Sequence, residues 1–508
     1  MNNKLRSIDE LAEISTRACA EGKTVVQAHG VFDLLHIGHK RYLDIGRRAG
    51  DLLIVSITTD RYVKKGPGRP IFTEALRAEM LAALDIIDYV CISPNPGAEY
   101  VLEKIRPRIY LKGSEYCAEE KDITGQITTE INTVRKHGGQ VLFTEDITFS
   151  SSNLINRFMN LYPDNAQEYI QKMRQRIDLE QLISELQKIK NKQRVLIIGD
   201  TILDEYIYVE PLGKPSKENI IATRFRDREI FCGGVVATGN LLAQFCGEVD
   251  MLTLLGETDS EEDFIRGSLH PTIRIYPFYR KGAPTTKKSR LVDPNYVHKL
   301  FEVAYLDDRP LEEDRKQAML AWLEERIADY DLVIANDFGH GMIEDEIVNL
   351  VCEKASYLAV NAQTNSANRG YNLITKYPRA DLICIDMPEA RLAVSDRYSP
   401  VETDVLKKLR QRIDCSTFMV THGKLGCIIS SNGGDMERIP ALTKEVIDTI
   451  GAGDLFFATA AALAAGGLDD VIAGFIANVV GAMQVNIVGH RHQITMVEII
   501  KYITALLK

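Results

Sequence analysis

The chain's 508 residues are 45% apolar and 26% charged, a globular balance, and at roughly 100–200 residues per domain they suffice for two to four domains. Lys and Arg total 61 against 71 Asp and Glu, a net charge of −10, which excludes a general nucleic-acid or anionic-membrane binder resting on a basic footprint. The longest apolar stretch, Leu455–Ala465, is far short of the about 20 residues of a membrane helix. The first residues lack the apolar core of a signal peptide, and nine cysteines without a C-x-x-C pair read as the reduced thiols of a cytoplasmic protein.

In chain order, buried-strand candidates are Thr24–Ala28, Leu52–Thr58, Tyr89–Ile92, Ile109–Leu111 and Val141–Phe143, separated by helix-length segments. Strands alternating with helices predict a parallel sheet covered by helices on both faces. Ile170, Met173 and Ile177, then Leu182, Leu186 and Ile189, recur at helical spacing among charges, with Asp178 placed to cap the second helix. A second α/β block opens at Arg194–Asp200 and continues through Leu332–Ala335, Tyr357–Asn361, Leu382–Ile385 and Phe418–Thr421. The alternation across Glu205–Phe231 predicts an exposed β-flap. The expected organisation is an N-terminal domain over 1–158, a helical connector over 159–193 and a second domain over 194–508.

Gly30-Val31-Phe32-Asp33-Leu34-Leu35-His36-Ile37-Gly38-His39 follows the first strand and opens a helix. His36 and His39, three apart, share a face beside free helix N–H groups, an arrangement suited to a phosphate under displacement. The residues alone leave open two solvent-exposed histidines on a turn, or a zinc site with no third ligand nearby. The string resembles the signature of the nucleotidylyltransferase superfamily. Thr59-Asp60, Lys65-Gly66, Arg69-Pro70, Arg77, Lys112-Gly113-Ser114-Glu115-Tyr116 and Phe149–Ile155 follow in the family's order. By that resemblance His36, His39 and Lys65 are catalytic. Gly30, Phe32, Lys112, Arg77, Ser150, Ser151 and Ser152 then hold the nucleotide and its phosphates. The class I tRNA synthetase motif is similar, but the second lysine-serine loop is missing.

Asp448-Thr449-Ile450-Gly451-Ala452-Gly453-Asp454 precedes the apolar helix from Leu455. A Gly-Ala-Gly turn at a helix start aims several N–H groups at one point, and the carboxylate after it can take a proton from a hydroxyl. A glycine-rich helix start with a capping Asp is the bland alternative. The heptad resembles the signature of ribokinase-like (PfkB) sugar kinases, with Gly199-Asp200, Asp204, Gly233-Gly234, Thr421–Gly426 and Ala477-Asn478 in the expected order. The resemblance implies that Asp454 is the base, that Thr449, Gly451, Ala452 and Gly453 form the anion hole, and that Thr421, Gly423, Gly426 and Asn478 line the nucleotide. It further implies that Asp200, Asp204, Gly233, Gly234 and Asn240 face the sugar, that Asp386 and Glu389 organise Mg²⁺, and that the β-flap is a lid forming a homodimer.

Three departures stand out. Asn-x-x-Glu becomes Asp386-Met387-Pro388-Glu389, Gly-Gly-Ala-Ala-Asn becomes Gly233–Ala237 with Asn240 further on, and Asp-Pro-Lys becomes Asn361-Ala362-Gln363. The two halves together resemble the bifunctional heptose 7-phosphate kinases/heptose 1-phosphate adenylyltransferases, in swapped order. The expectation is an α/β chain, a Rossmann-like domain followed by a ribokinase-like one. It would phosphorylate a sugar or sugar phosphate with ATP and join the sugar 1-phosphate to a nucleotide, with ATP expected over CTP, Mg²⁺ as cofactor and no nucleic-acid or membrane partner. The alternatives are a cytidylyltransferase paired with a polyol kinase, and a kinase-like sensor or dimerisation module without turnover.

Overall fold

The computed structural model describes every residue except 1–3, 64–68, 114–125, 145–161, 191, 215, 218, 296, 432–435 and 508. The chain divides into one unit of residues 1–161 with 500–508 and a second of residues 162–499.

In the first unit five parallel strands lie in the order Tyr89–Ser93, Leu52–Thr58, Val25–Gly30, Ile109–Gly113, Gln140–Thr144. The strand Leu52–Thr58 is apolar along nearly its whole length because helices cover both of its faces, as parallel sheets require. The chain leaves the central strand Val25–Gly30 in one direction and returns beside it on the other through Ile109–Gly113. That reversal of strand order opens a crevice at the carboxyl ends of these two strands, where ligands of such sheets bind. The helix Ile37–Ala49 starts at the same edge.

In the second unit the central sheet runs Ile273–Pro284, Glu248–Thr258, Arg194–Gly213, Leu332–Asp337, Leu358–Ala362, Arg379–Asp386 and Asp414–Thr421, all parallel, then the antiparallel Cys427–Ser430 and Met436–Ile439. Strand Arg194–Gly213 is 20 residues long and belongs to two sheets. Its first third sits in the core, and its remainder pairs with Ala222–Gly234, Lys287–Asp293 and, through the latter, His298–Tyr305. The flap expected over Glu205–Phe231 is therefore half of a four-stranded lid. Its other two strands carry mixed exposed patterns that gave no periodic signal. Phe225, Phe301, Val303 and Tyr305 of the lid are exposed.

The apolar stretch Leu455–Ala465 lies in the helix Ala452–Ala465, whose residues 454–463 are all buried. Its 14 residues reach about 21 Å at 1.5 Å per residue, a core helix enclosed on every side. No described helix is long and apolar enough to cross a membrane.

The connector is two helices, Asp164–Arg176 and Leu179–Lys190, and Asp178 caps the second by accepting from Glu180 and Gln181 N–H. Both fall in the second unit, with Tyr169 against Phe475 and Ile189 against Gly466. Their regularly spaced apolar residues serve that core.

Candidate active sites

In the first unit His36 is the N-cap of the helix Ile37–Ala49. Its Nδ1 accepts the Gly38 N–H at 3.0 Å. An acceptor Nδ1 places the proton of the neutral ring on Nε2, and that buried Nε2 has no partner. Burial also holds the ring's pKa below the usual value. The His39 ring stacks on it at 4.0 Å between centroids, and Phe32, at φ +50°, meets His39 edge-on at 5.2 Å. Gly30 keeps this packing possible, because a Cβ there would lie 3.0 Å from the Phe32 ring. The result is an unpartnered ring nitrogen held in an aromatic stack at the start of the helix, at the carboxyl end of the central strand.

Two basic residues of the motif set are already engaged. Arg77 is wholly buried and donates to the carbonyls of Val31, Thr58 and Phe72 and to Asp60 Oδ1. It ties the loops around the crevice together from beneath. Lys112 Nζ lies 2.8 Å from buried Glu130 Oε2, which also accepts from Tyr110 OH. Lys65, Ser150, Ser151 and Ser152 lie outside the described residues.

In the second unit Gly451 caps the helix Ala452–Ala465 with φ +77°. A Cβ at Gly451 would lie 2.4 Å from the His490 ring, so only glycine fits this turn. Gly453 faces open space, and the first-turn N–H groups have no intrahelical acceptors. Asp448 anchors the turn from below, accepting from Tyr206 OH at 2.6 Å, from Gly489 N–H at 2.9 Å and from Lys299 Nζ at 2.6 Å. Thr449 is exposed beside it. Asp454 is buried and accepts from Gln363 Nε2 at 2.5 Å. Burial pushes its carboxyl up to about 6, against the lowering effect of the Gln363 hydrogen bond. A carboxylate titrating there is a competent base near neutral pH.

Asp386 and Glu389 form a capping box on the helix Met387–Ala393, each accepting the other's backbone N–H, and Glu389 also accepts from Thr364 N–H. Burial, with Asp386 and Asp454 nearby, pushes the Glu389 carboxyl up to about 7. Among the described residues no three His, Cys, Asp or Glu side chains gather to hold a metal ion, so Asp386 and Glu389, whose oxygens already accept backbone N–H groups, would hold Mg²⁺ through water and substrate phosphates. Thr421 ends its strand, and Gly423 (φ +48°) and Gly426 (φ +89°) shape the loop after it. Asn478 is committed to the Pro440 carbonyl at 2.8 Å.

The residues expected to face the sugar gather around the switch point between Arg194–Gly213 and Leu332–Asp337. Asp200 is buried there, and burial together with Asp337 raises its carboxyl to about 7. Asp204 pairs with Arg290 and lies over Gly233, whose missing Cβ makes room for Oδ2. Gly234 (φ +56°) likewise lets the chain pass the Asp200 carbonyl. Asn240 braces the 268–270 segment, donating to Ser268 O and accepting from His270 N–H. It lines, with Ala237, Cys232, Leu455 and His490, a cavity of about 370 Å³.

Sequence reasoning missed Lys288, His340 and His490, which carry no motif. Gln363 was visible only as a departure from the Asp-Pro-Lys pattern, and its contact with Asp454 depends on residues 91 positions apart.

Residues 192–495 match the model of the pfkB family carbohydrate kinases, and residues 28–158 that of the cytidylyltransferase-like family. The bifunctional protein HldE of Trichlorobacter lovleyi is 37% identical over 169 residues, 32% of this chain and 32% of that protein. Its namesake from Geobacter metallireducens is 36% identical over 165 residues, 31% of this chain and 32% of that protein. The chain thus spans about a third of the length of the curated relatives it matches. Among solved structures, a putative ribokinase from Agrobacterium tumefaciens superposes with a TM-score of 0.50 at 18% identity, covering 62% of this chain and 98% of that one. A phosphofructokinase-2 variant from Escherichia coli gives 0.50 at 11% identity, covering 62% and 100%. At such identities these likenesses show the fold of the second unit alone.

Proposed function

We propose that this chain, which belongs to the pfkB family of carbohydrate kinases and carries a cytidylyltransferase-like domain ahead of the kinase, is a bifunctional enzyme of activated-sugar synthesis. The kinase phosphorylates a sugar or sugar phosphate with ATP. The N-terminal domain joins the nucleotidyl group of an NTP, ATP in our reading, to a sugar 1-phosphate, giving an ADP-heptose-like product and pyrophosphate.

The observation that carries this reading is the buried Asp454 carboxyl in the first turn of a helix that Gly451 caps and whose Gly453 faces open space. An acceptor hydroxyl placed beside that carboxyl gives its proton to Asp454 as its oxygen attacks the γ-phosphorus. The bond to ADP breaks, and the Gly451–Gly453 amides take the charge on the equatorial oxygens. At the other site a sugar phosphate oxygen attacks the α-phosphorus, pyrophosphate leaves, and His36 and His39 stabilise the developing charge. Mg²⁺, when bound, neutralises phosphate charge in both displacements, with Asp386 and Glu389 holding it at the kinase.

The apolar side chains exposed on the lid, Phe225, Phe301 and Tyr305, support a homodimer closed through that sheet. We place the enzyme in the cytosol, where nucleoside triphosphates are supplied. Incubation with candidate sugars and their phosphates, Mg²⁺ and ATP or CTP, following ADP and pyrophosphate separately, tests both halves. Absence of ADP with every acceptor would remove the kinase half, and absence of pyrophosphate the transferase half.

A further inference from the structure

His340 follows the strand Leu332–Asp337 on a turn whose flanking glycines, Gly339 and Gly341, have φ of +69° and +81°. A Cβ on Gly339 would meet Asn368 Nδ2 at 2.2 Å, and one on Gly341 the Arg309 carbonyl at 2.4 Å. The turn's path is therefore held by close packing on both sides. It brings the His340 N–H to 3.4 Å from Asp200 Oδ2, on the acceptor side of the kinase. The side chain is 2% exposed, and neither ring nitrogen has a partner. A buried polar group left unmatched is costly, and two on one ring mark a place that a group from solution, ordered water or a ligand that displaces it, must fill.

Lys288 faces the same region. It stands on the lid strand Lys287–Asp293 in register with Asp204, and no described residue gives its ammonium a hydrogen bond or an ion pair. The strand that leads into His340 also leads to Asp454: the Gln363 N–H donates to the Asp337 carbonyl at 2.9 Å, three residues before His340, while the Gln363 side chain donates to Asp454.

The chemistry of the missing ligand follows from the ring. Burial, reinforced by the Lys288 and Arg280 charges, pushes the His340 pKa down to about 4, so the imidazole is neutral at working pH. A neutral imidazole has one N–H and one lone pair. A phosphate dianion or a carboxylate only accepts, and would leave the lone pair unmatched. Hydroxyl groups both donate and accept.

We propose that His340 is a specificity-determining residue of the kinase, donating through one ring nitrogen and accepting through the other from two hydroxyl groups of a polyhydroxylated acceptor, between Asp200 and Lys288. The inference rests on the kinase reading and names the part of the acceptor that His340 reads. The attacked hydroxyl is the one nearest Asp454, and the pair at His340 fixes how that hydroxyl is presented.

The test uses the full chain with ATP and Mg²⁺ and a panel of D-ribose, D-fructose, D-mannose, D-glucose, a D-manno-heptose and their phosphate esters. Two hydrogen bonds worth roughly 3- to 10-fold each predict that His340→Phe raises the acceptor KM by about 10- to 100-fold. The KM for ATP stays unchanged. His340→Gln, which keeps one donor and one acceptor, recovers part of the loss. A deoxy analogue lacking a hydroxyl read by His340 shows a smaller difference between wild type and His340→Phe than its parent does. An unchanged acceptor KM in His340→Phe, or an equal penalty from every deoxy analogue in both proteins, overturns the proposal. If the wild type forms no ADP with the panel, the kinase reading fails, and calorimetric titration of the same sugars without turnover decides about His340. Binding heat lost in His340→Phe supports it, and equal heats, or none in the wild type, overturn it.

Discussion

Replacing Gln363 by alanine removes the side chain that donates to the proposed base. Gln363 Nε2 lies 2.5 Å from Asp454 Oδ1, in a buried setting that has already pushed the carboxyl up to about 6. A hydrogen bond to a charged group is worth about 1.5–3 kcal/mol, and one pKa unit corresponds to 1.36 kcal/mol. Losing it therefore raises the Asp454 pKa by about one to two units. The base works only when ionised, so kcat/KM falls as pH drops through the folded-state pKa. The acidic limb of the wild type should sit near pH 6, and that of Gln363→Ala at about pH 7–8. At pH 7 the ionised fraction is about 90% in the wild type, and about 10–50% in the variant. The expected loss there is about 2- to 10-fold, recovering by pH 9. Initial rates of ADP formation between pH 5 and 9.5 check this, with an acceptor that carries no phosphate, because a phosphate ester titrates near 6 itself. An unmoved limb, or the same loss at every pH, would refute the argument and reduce Gln363 to packing.

Further substitutions separate the two sites. Asp454→Asn should lower phosphorylation by about 10²–10⁴ and leave pyrophosphate release from a supplied sugar 1-phosphate intact; ADP formed at the wild-type rate would remove Asp454 from the mechanism. Gly451→Ala places a Cβ 2.4 Å from His490 at a φ of +77°, so the anion hole should deform and ADP formation drop by about 10²–10³, with the pyrophosphate assay as the unaffected control. His36→Asn keeps an acceptor for the Gly38 N–H but removes the Nε2 donor, and pyrophosphate release should fall by about 10²–10³ while the kinase continues; full activity would return the histidine motif to a helix cap. Pyrophosphate release should be faster with ATP than with CTP on one sugar 1-phosphate, and a preference for CTP would displace the ADP-sugar reading.

Both glycine-rich helix starts, Gly30–His39 and Asp448–Asp454, were legible in the amino-acid sequence because their chemistry is local. A strand, a turn and the first helical N–H groups are set by neighbouring residues, so a motif of seven to ten positions carries the whole arrangement. Most strands of the two parallel sheets were legible for a similar reason, since burial on two faces forces a nearly unbroken apolar run such as Leu52–Thr58; Glu248–Thr258, interrupted by Asp250, and Ile273–Pro284, half-exposed along much of its length, were not. Arg77, by contrast, stands in the motif order as a phosphate contact, yet the fold surrounds it with four acceptors from segments 5 to 46 residues away. The lid strands Lys287–Asp293 and His298–Tyr305 had no clean alternation, because neither buries one whole face: only Ser289 and Val292 of the first are buried, and the second is exposed along most of its length. The partners of the acceptor side could only come from the tertiary structure. Asp200, Lys288, His340 and Asp454 span more than half of the second unit in sequence, and parallel crossovers bring their strand and helix ends to a single edge. Which of those side chains finds a protein partner, and which is left for a ligand, is a property of that meeting point and of no single segment.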